Sequence, residues 1–150
     1  RSTLFPYTTL FRSGPVADMG LPEYLIADST VGIIAQRLVR RLCPRCKKKV
    51  LANADQLELL GFGPDEQVEI YEPVGCSSCD NNGFKGRIGV YEIMEVTPKV
   101  RKVIAAGEDA EHIKQAALEE GMYTLRMSAT NYVLEGITSV SEMIKVSFDS

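Results

Sequence analysis

The sequence predicts an α+β protein that is mainly helical, with one small β-rich insert held by four cysteines. Three observations support this fold class. Apolar residues recur at helical spacing before residue 43 and again after residue 97. Between these segments, alternating apolar residues and turn signals predict short strands. The four cysteines form two CxxC pairs within that middle segment, where a metal would stabilise a region with too little core of its own.

Composition and charge exclude several classes of protein. The 150 residues are 45% hydrophobic and 25% charged, with a net charge of -3, as in ordinary globular proteins. This balance excludes a strongly basic protein that coats nucleic acid and an acidic disordered tail. No apolar run approaches the roughly 20 residues that a membrane-spanning helix needs. The length predicts one domain or two small subdomains.

The first thirteen residues differ from the rest of the chain. Residues 3–13 read TLFPYTTLFRS, which resembles the translation of one reading frame of a widely used DNA-sequencing adapter. We therefore interpret residues 1–13 as adapter-derived sequence fused to a truncated reading frame, and we expect the natural start to lie upstream. The alternative is a natural β-rich arm, because Thr, Leu, Phe and Tyr favour strands.

Residues 22–42 are predicted to be helical. Residues 28–30 (Asp-Ser-Thr) supply a candidate N-cap, and Pro44 ends the helix because it lacks an N–H donor. One buried stripe is predicted from four apolar residues at helical spacing: Val31, Ile34, Leu38 and Leu42.

The insert, residues 43–96, is predicted to consist of short elements joined by turns. In order, these are a helix over 55–60 that stops at Gly61, a strand around Val68 and Ile70, a hairpin turn at Asn82-Gly83, and a strand over 84–96.

Residues 97–150 are predicted to form a bundle of short helices. The first has Thr97 as N-cap and Pro98 at its first position, and Gly107 closes it. Two more helices are predicted over 109–120 and 124–135, each followed by glycine, and a capping box of Ser139 and Glu142 opens the last.

The two CxxC pairs are the strongest chemical signal. They are Cys43-Pro-Arg-Cys46 and Cys76-Ser-Ser-Cys79, separated by 29 residues. Each turn offers two thiolates to one ion, and two such turns complete the tetrahedral S₄ shell that zinc prefers. Because four cysteines close the coordination shell, the predicted Zn²⁺ site is structural.

Three other interpretations of the cysteines stay open. Two disulfides are possible, although the chain carries no sign of secretion. A thiol redox pair would use one CxxC motif alone. An iron or iron–sulfur site uses the same four thiolates, and spacing does not distinguish it from zinc.

The stretch from Arg37 to Lys49 is basic. Seven Lys or Arg and no Asp or Glu lie between Ser29 and Ala54. One interpretation is a contact surface for phosphate, nucleic acid or an acidic subunit. The other is a solvated face that also balances the charge of the metal site. We expect no nucleic-acid binding, because no aromatic residue lies within the stretch to stack bases.

Conventional catalytic motifs are missing from the sequence. The single histidine, His112, is predicted to lie at a helix surface. There is no HExxH motif, no GxxxxGK[ST] loop and no Gly-Lys dipeptide, so no P-loop can be built from this chain.

Three ordered runs resemble one protein family. They are VADMGLPEYLIADSTVGIIAQRLVRRLCPRC at 16–46, GCSSCDNNGFKGRIGVYEIMEV at 75–96 and NYVLEGITS at 131–139. Together they resemble the C-terminal end of the type II secretion and type IV pilus assembly ATPases. The patterns AQRLVRRLCPxC and GCxxCxxxGFKGRxGVYE are specific to that family.

The resemblance implies a fold and a function. In this family a RecA-like P-loop ATPase core precedes a four-cysteine zinc insert and closing helices, so 14–42 would be the last helices of that core. Full-length members are hexameric motors that use ATP and Mg²⁺ on the cytoplasmic side of the inner membrane. Their partners are inner-membrane platform proteins and cytoplasmic anchor proteins of the secretion or pilus system.

The resemblance also implies residue roles. Cys43, Cys46, Cys76 and Cys79 match the zinc ligands, whereas Arg37 and Arg40 become candidates for packing against an adjacent subunit. The Walker A and B motifs would lie upstream of Val16, so this fragment should be structural and inactive alone. The alternative function is a stand-alone zinc-ribbon module that binds nucleic acid or protein through residues 37–49. A thiol redox protein is a weaker third option.

Overall fold

The computed structural model describes residues 22–147, and the adapter-like segment lies outside these residues. Helices and strands are mixed in this part of the chain. It contains six α-helices and four strands: α1 (Glu23–Ser29), β1 (Gly32–Leu42), β2 (Lys48–Leu51), α2 (Ala54–Leu60), β3 (Glu69–Glu72), β4 (Phe84–Glu95), α3 (Pro98–Ala105), α4 (Ala110–Glu119), α5 (Leu125–Leu134) and α6 (Val140–Ser147). The predicted combination of helix and sheet is therefore confirmed. None of these helices has the length and apolarity needed to span a bilayer.

The described residues fall into two compact units. The first contains residues 22–35 and 91–124, and the second contains 36–90 and 125–147. Strands β1 and β4 pair in a two-stranded sheet, and each strand contributes residues to both units.

The first unit has its own apolar core between the end of β4 and helices α3 and α4. Its buried members are Met94, Val96, Val100, Ile113, Ala116 and Ala117. The predicted caps are confirmed, because the Thr97 side chain accepts from the N–H of Val100 and Pro98 occupies the first turn. The Asp109 side chain likewise accepts from the N–H of His112 at the start of α4.

The prediction of a helix over residues 22–42 is confirmed only for α1 (Glu23–Ser29) and is wrong for Gly32–Leu42, which form strand β1. Of the predicted stripe, Val31 is 79% exposed, Ile34 is 67% exposed and Leu38 is 59% exposed, whereas Leu42 is buried. Exposure instead alternates along most of β1 with the period of two that a strand imposes, and Val39 is buried. The run GIIAQRLVRRL fits both periods, and pairing with β4 selects the strand.

The second unit combines the small β2–β3 sheet with α2, α5 and α6. Strands β2 and β3 are antiparallel, with Val50 opposite Ile70 and Lys48 opposite Glu72. The predicted strand around Ile70 and the predicted helix over 55–60 are confirmed. Helix α2 begins with a capping box of Asn53 and Gln56 and ends at Gly61, which has a left-handed conformation.

Two predictions need correction, one of a hairpin turn and one of the helix cap formed by Ser139 and Glu142. Asn82 and Gly83 precede β4 but do not join a hairpin, because β3 pairs with β2 and β4 pairs with β1. The predicted strand at 84–96 is confirmed as β4. Glu142 lies in the first turn of α6 as predicted, but its carboxylate accepts hydrogen bonds from Arg40 and Lys145.

Candidate metal centre

The four predicted ligands are brought together in the second unit. The Sγ atoms of Cys43, Cys46, Cys76 and Cys79 all lie within 4.8 Å of one another. Cys43 directly follows β1, whereas Cys76 precedes and Cys79 ends the 3₁₀ turn Ser77–Cys79. Cys43 and Cys79 are buried, and the other two are partly buried.

The first cysteine turn is held by backbone hydrogen bonds. The N–H groups of Cys46 and Lys47 donate to the carbonyl of Cys43 at 3.3 and 3.0 Å. The N–H of Cys43 donates to the carbonyl of Gly83 at 2.9 Å, which ties this turn to the start of β4. The two thiols therefore project from one short hydrogen-bonded loop.

The second cysteine turn is equally constrained. The N–H groups of Cys79 and Asn81 both donate to the carbonyl of Cys76 at 3.0 Å. Asp80 and Asn81 are left-handed, with φ of 49° and 59°, a conformation that Asn and Asp tolerate better than most residues. Gly75 is required beside them, because a Cβ there would lie 2.6 Å from the carbonyl oxygen of Asn81.

Three of the six sulfur–sulfur distances match the edge of a tetrahedral metal shell. The Sγ atoms of Cys43 and Cys76 are 3.9 Å apart, those of Cys46 and Cys79 are 3.8 Å apart, and those of Cys76 and Cys79 are 3.7 Å apart. A metal–sulfur distance of about 2.3 Å gives a tetrahedral edge of about 3.8 Å, whereas a disulfide requires about 2.0 Å. The donor set and its geometry therefore suit a thiolate-binding metal.

Backbone N–H groups point at two of the sulfurs. Gly75 donates to Cys46 Sγ at 3.3 Å, and Cys76 donates to Cys79 Sγ at 3.2 Å. Burial raises the pKa of Cys46 to about 11 in spite of the Gly75 N–H. Burial also opposes ionisation of Cys79, but donors from Cys76 and Gly83 outweigh it and lower its pKa to about 7.

Several basic side chains of the 37–49 stretch are engaged within the chain. Lys47 Nζ donates to the carbonyl of Gly136 at 2.7 Å and lies 4.4 Å from the centre of the Tyr71 ring. Lys49 pairs with Glu69 at 2.6 Å. Lys47 and Lys49 thus have partners within the chain, and the choice between the two interpretations of the stretch stays a prediction.

The two predicted subunit-interface residues have different surroundings. Arg40 donates to Glu142 from its guanidinium at 2.9 Å and from its backbone N–H at 3.0 Å. Its guanidinium also lies 4.0 Å from the centre of the Phe84 ring. Arg37 is half-buried on the strand face that carries Val39. A role for either arginine between subunits stays a prediction.

His112 lies at a helix surface, as predicted. Its side chain is 67% exposed, and Nδ1 is 2.8 Å from Asp109 Oδ1 and 3.7 Å from Glu108 Oε2. The hydrogen bond to Asp109 raises the pKa of His112. This contact belongs to the start of α4, where Asp109 also caps the helix.

Two important contacts around the metal centre were not predicted. Glu142 was assigned only to a helix cap, yet it is buried against Arg40, 102 residues away in the sequence. The aromatic ring of Tyr71 packs against Gly136, and nothing in the sequence indicates that these two residues are in contact. The sequence does indicate the end of helix α5 at Gly136, which has a φ of +66°.

Replacing Gly136 by Ala is expected to lower the free energy of unfolding by about 2–4 kcal/mol. A Cβ at this position would lie 2.4 Å from a ring carbon of Tyr71, in addition to the cost of the left-handed backbone. Gly61→Ala is the matched control, because Gly61 has φ of +84° and open space around it. The control should lose only about 1 kcal/mol. Urea denaturation of the metal-loaded proteins measures both losses, and equal losses would contradict the predicted clash.

Comparison with known proteins gives one consistent result. Residues 9–145 match the family model described as "Type II/IV secretion system protein". The chain is 39% identical over 133 residues to the type IV pilus assembly ATPase PilB of Acinetobacter baylyi, covering 86% of this chain and 23% of that protein. It is 36% identical over 133 residues to the type IV pilus assembly ATPase TfpB of the same organism, covering 86% and 22%. It is 35% identical over 145 residues to the type II secretion system protein E of Klebsiella pneumoniae, covering 97% and 29%. The chain thus spans about a quarter of the length of these relatives.

Proposed function

This chain belongs to the type II/IV secretion system protein family, and we propose that it is the C-terminal part of a hexameric motor ATPase. The parent protein would power type II protein secretion or type IV pilus assembly by ATP hydrolysis. This part would be structural, transmitting the motion of an upstream RecA-like core within the ring. The observation that carries the proposal is the family match over residues 9–145, together with the similarity to relatives named as type IV pilus assembly ATPases.

The metal centre supplies the structural role in this proposal. Cys43, Cys46, Cys76 and Cys79 would hold one Zn²⁺, which thiolates in a tetrahedral arrangement favour. Four protein ligands leave no open position for water or substrate, so the ion would stabilise the fold. Such support suits the second unit, because its β2–β3 sheet has only two strands and a two-stranded sheet is marginally stable alone.

Partners and location follow from the proposed parent. The parent would assemble as a homohexamer and bind inner-membrane platform proteins and cytoplasmic anchor proteins of its system. It would lie in the cytoplasm at the inner membrane, and ATP and Mg²⁺ would bind upstream of this chain. Arg37 and Arg40 are the candidate contacts with a neighbouring subunit. Their place on β1 leaves part of each side chain accessible.

The purified chain is expected to show no ATP turnover, whereas the full-length parent is expected to hydrolyse ATP. The physical reason is that the chain has no GxxxxGK[ST] loop to hold the phosphates. The test is to sequence the native DNA upstream of the Gly14 codon, express the complete reading frame and measure phosphate release with Mg²⁺.

Two outcomes would overturn the proposal. One is an upstream frame that ends without a P-loop, and the other is a complete protein that hydrolyses no ATP although it contains that loop. The stand-alone zinc-ribbon alternative predicts nucleic-acid binding that weakens steeply with added salt. Fluorescence anisotropy with labelled DNA and RNA measures this directly, and we expect no binding.

A further inference from the structure

A continuous network joins the end of β1 to the segment that begins α6. The Leu42 N–H donates to the carbonyl of Ile137 at 2.8 Å, and the Thr138 hydroxyl donates to the carbonyl of Arg40 at 2.7 Å. Thr138 is fully buried, so this hydrogen bond is shielded from water. The Arg40–Glu142 contacts extend the network into the first turn of α6.

Lys47 attaches the first cysteine turn to the same segment. Its ammonium donates to the carbonyl of Gly136 at the C-terminal end of α5, where the helix dipole favours a cation. The Tyr71 ring lies 4.4 Å from the ammonium and limits where the side chain can go. Because Lys47 directly follows Cys46, the position of its ammonium depends on the backbone of that turn.

The conformation of the first cysteine turn depends in turn on the metal centre. Two sulfur–sulfur contacts of 3.8 and 3.9 Å connect this turn to the second one. Thiol contacts at such distances are weak, whereas four metal–thiolate bonds fix both turns together. Metal binding therefore sets the position from which Lys47 reaches Gly136.

We infer that metal binding at the two cysteine turns controls how firmly α6 is docked, and that Lys47 is the residue that couples the two. Loss of the metal releases the Lys47 ammonium from the carbonyl of Gly136 and loosens the α5–α6 turn. Helix α6 then keeps its packing on α5, the Arg40–Glu142 pair and the two hydrogen bonds of Ile137 and Thr138 to β1, but loses the contact from the cysteine turn. This inference rests on the metal site of the proposed function and adds a conformational device to it.

Hydrogen exchange of the metal-loaded chain tests the inference. In Lys47→Met, which keeps the length of the side chain but removes its charge and donor, the amides of residues 136–147 are expected to exchange about tenfold faster. Lys48→Met is the matched control, because Lys48 is exposed and lies opposite Glu72 in the β2–β3 sheet. It should leave exchange in residues 136–147 unchanged. Removal of the metal from the wild-type chain by a chelator should accelerate exchange in the same segment.

Metal content measured on every sample separates the two proposals. If the wild-type chain contains no metal after refolding with Zn²⁺, the metal site of the proposed function fails. If each chain binds one ion, the coupling is overturned when Lys47→Met exchanges like the wild type. It is also overturned when chelation leaves residues 136–147 as protected as before.

Discussion

Replacing Cys76 by Ser is expected to abolish tight metal binding and to unfold the segment between β1 and β4 that carries the two cysteine turns. Its Sγ lies 3.9 Å from Cys43 Sγ and 3.7 Å from Cys79 Sγ, so its loss removes one of the four corners of the tetrahedral shell. Structural zinc contributes an apparent 10–16 kcal/mol, on the order of the whole stability of a small domain. Zinc per chain, measured by mass spectrometry of the metal, should fall from one to near zero. Circular dichroism should show the accompanying loss of structure.

Ser77→Ala is the control within the same turn. Ser77 is exposed and offers a hydroxyl where the neighbouring ligands offer sulfur. The control should retain one zinc per chain and its wild-type circular dichroism spectrum. Metal content that stays the same in Cys76→Ser would remove the basis for the four-cysteine site. A loss of zinc in both variants would mean that the turn itself, and not the thiolate, limits binding.

Local signals in the sequence predicted many features because they act over a few residues. The cap at Thr97 is one example, since its hydroxyl needs only the N–H of Val100 three residues ahead. The CxxC pairs are another, because the two members of each pair are brought close by one tight turn. That the two turns come together, however, is an inference from zinc chemistry. The structure supports it, because the four Sγ atoms lie within 4.8 Å of one another.

Strand β1 shows where such signals become ambiguous. The apolar residues of β1 are spaced so that they match both the period of a helix and the period of a strand. The deciding interaction is the pairing with β4, which lies about fifty residues later in the sequence. A pattern within β1 alone therefore does not reveal it. Ile34 and Leu38 are exposed as a result, on the opposite face from buried Val39.

Contacts across long sequence separations were beyond local reasoning for the same physical reason. Glu142 is a reasonable capping residue in the sequence, and its true partner is Arg40, 102 residues earlier. Lys47 and Gly136 are similarly 89 residues apart. Basic residues in 37–49 therefore suggested an external partner, whereas several of them meet partners inside the second unit.

Replacing Glu142 by Gln is expected to lower the free energy of unfolding by about 2–3 kcal/mol near neutral pH. The carboxylate is 4% exposed and accepts from the Arg40 guanidinium, the Arg40 N–H and Lys145 Nζ at 2.9, 3.0 and 2.5 Å. Glutamine offers one acceptor oxygen and turns an NH₂ group toward cationic donors. Glu119→Gln is the control, because Glu119 pairs with Lys99 at the surface, where such pairs contribute little.

The pH dependence of this loss distinguishes a charged Glu142 from a merely well-packed one. Burial opposes ionisation, but hydrogen bonds from Arg40 and Lys145 outweigh it and lower the pKa of Glu142 from 4.5 to about 2. A carboxylate with a lowered folded-state pKa stabilises the protein above its unfolded pKa, and this contribution disappears as the pH falls toward the folded value. The difference in the free energy of unfolding between wild type and Glu142→Gln should therefore be constant at pH 6–7. It should become smaller below about pH 4.5 and vanish near pH 2. Metal release at low pH affects both proteins alike, so urea denaturation of the two proteins at each pH isolates the contribution of Glu142. A difference in unfolding free energy that stays unchanged down to pH 3 would mean that the charge of Glu142 contributes nothing.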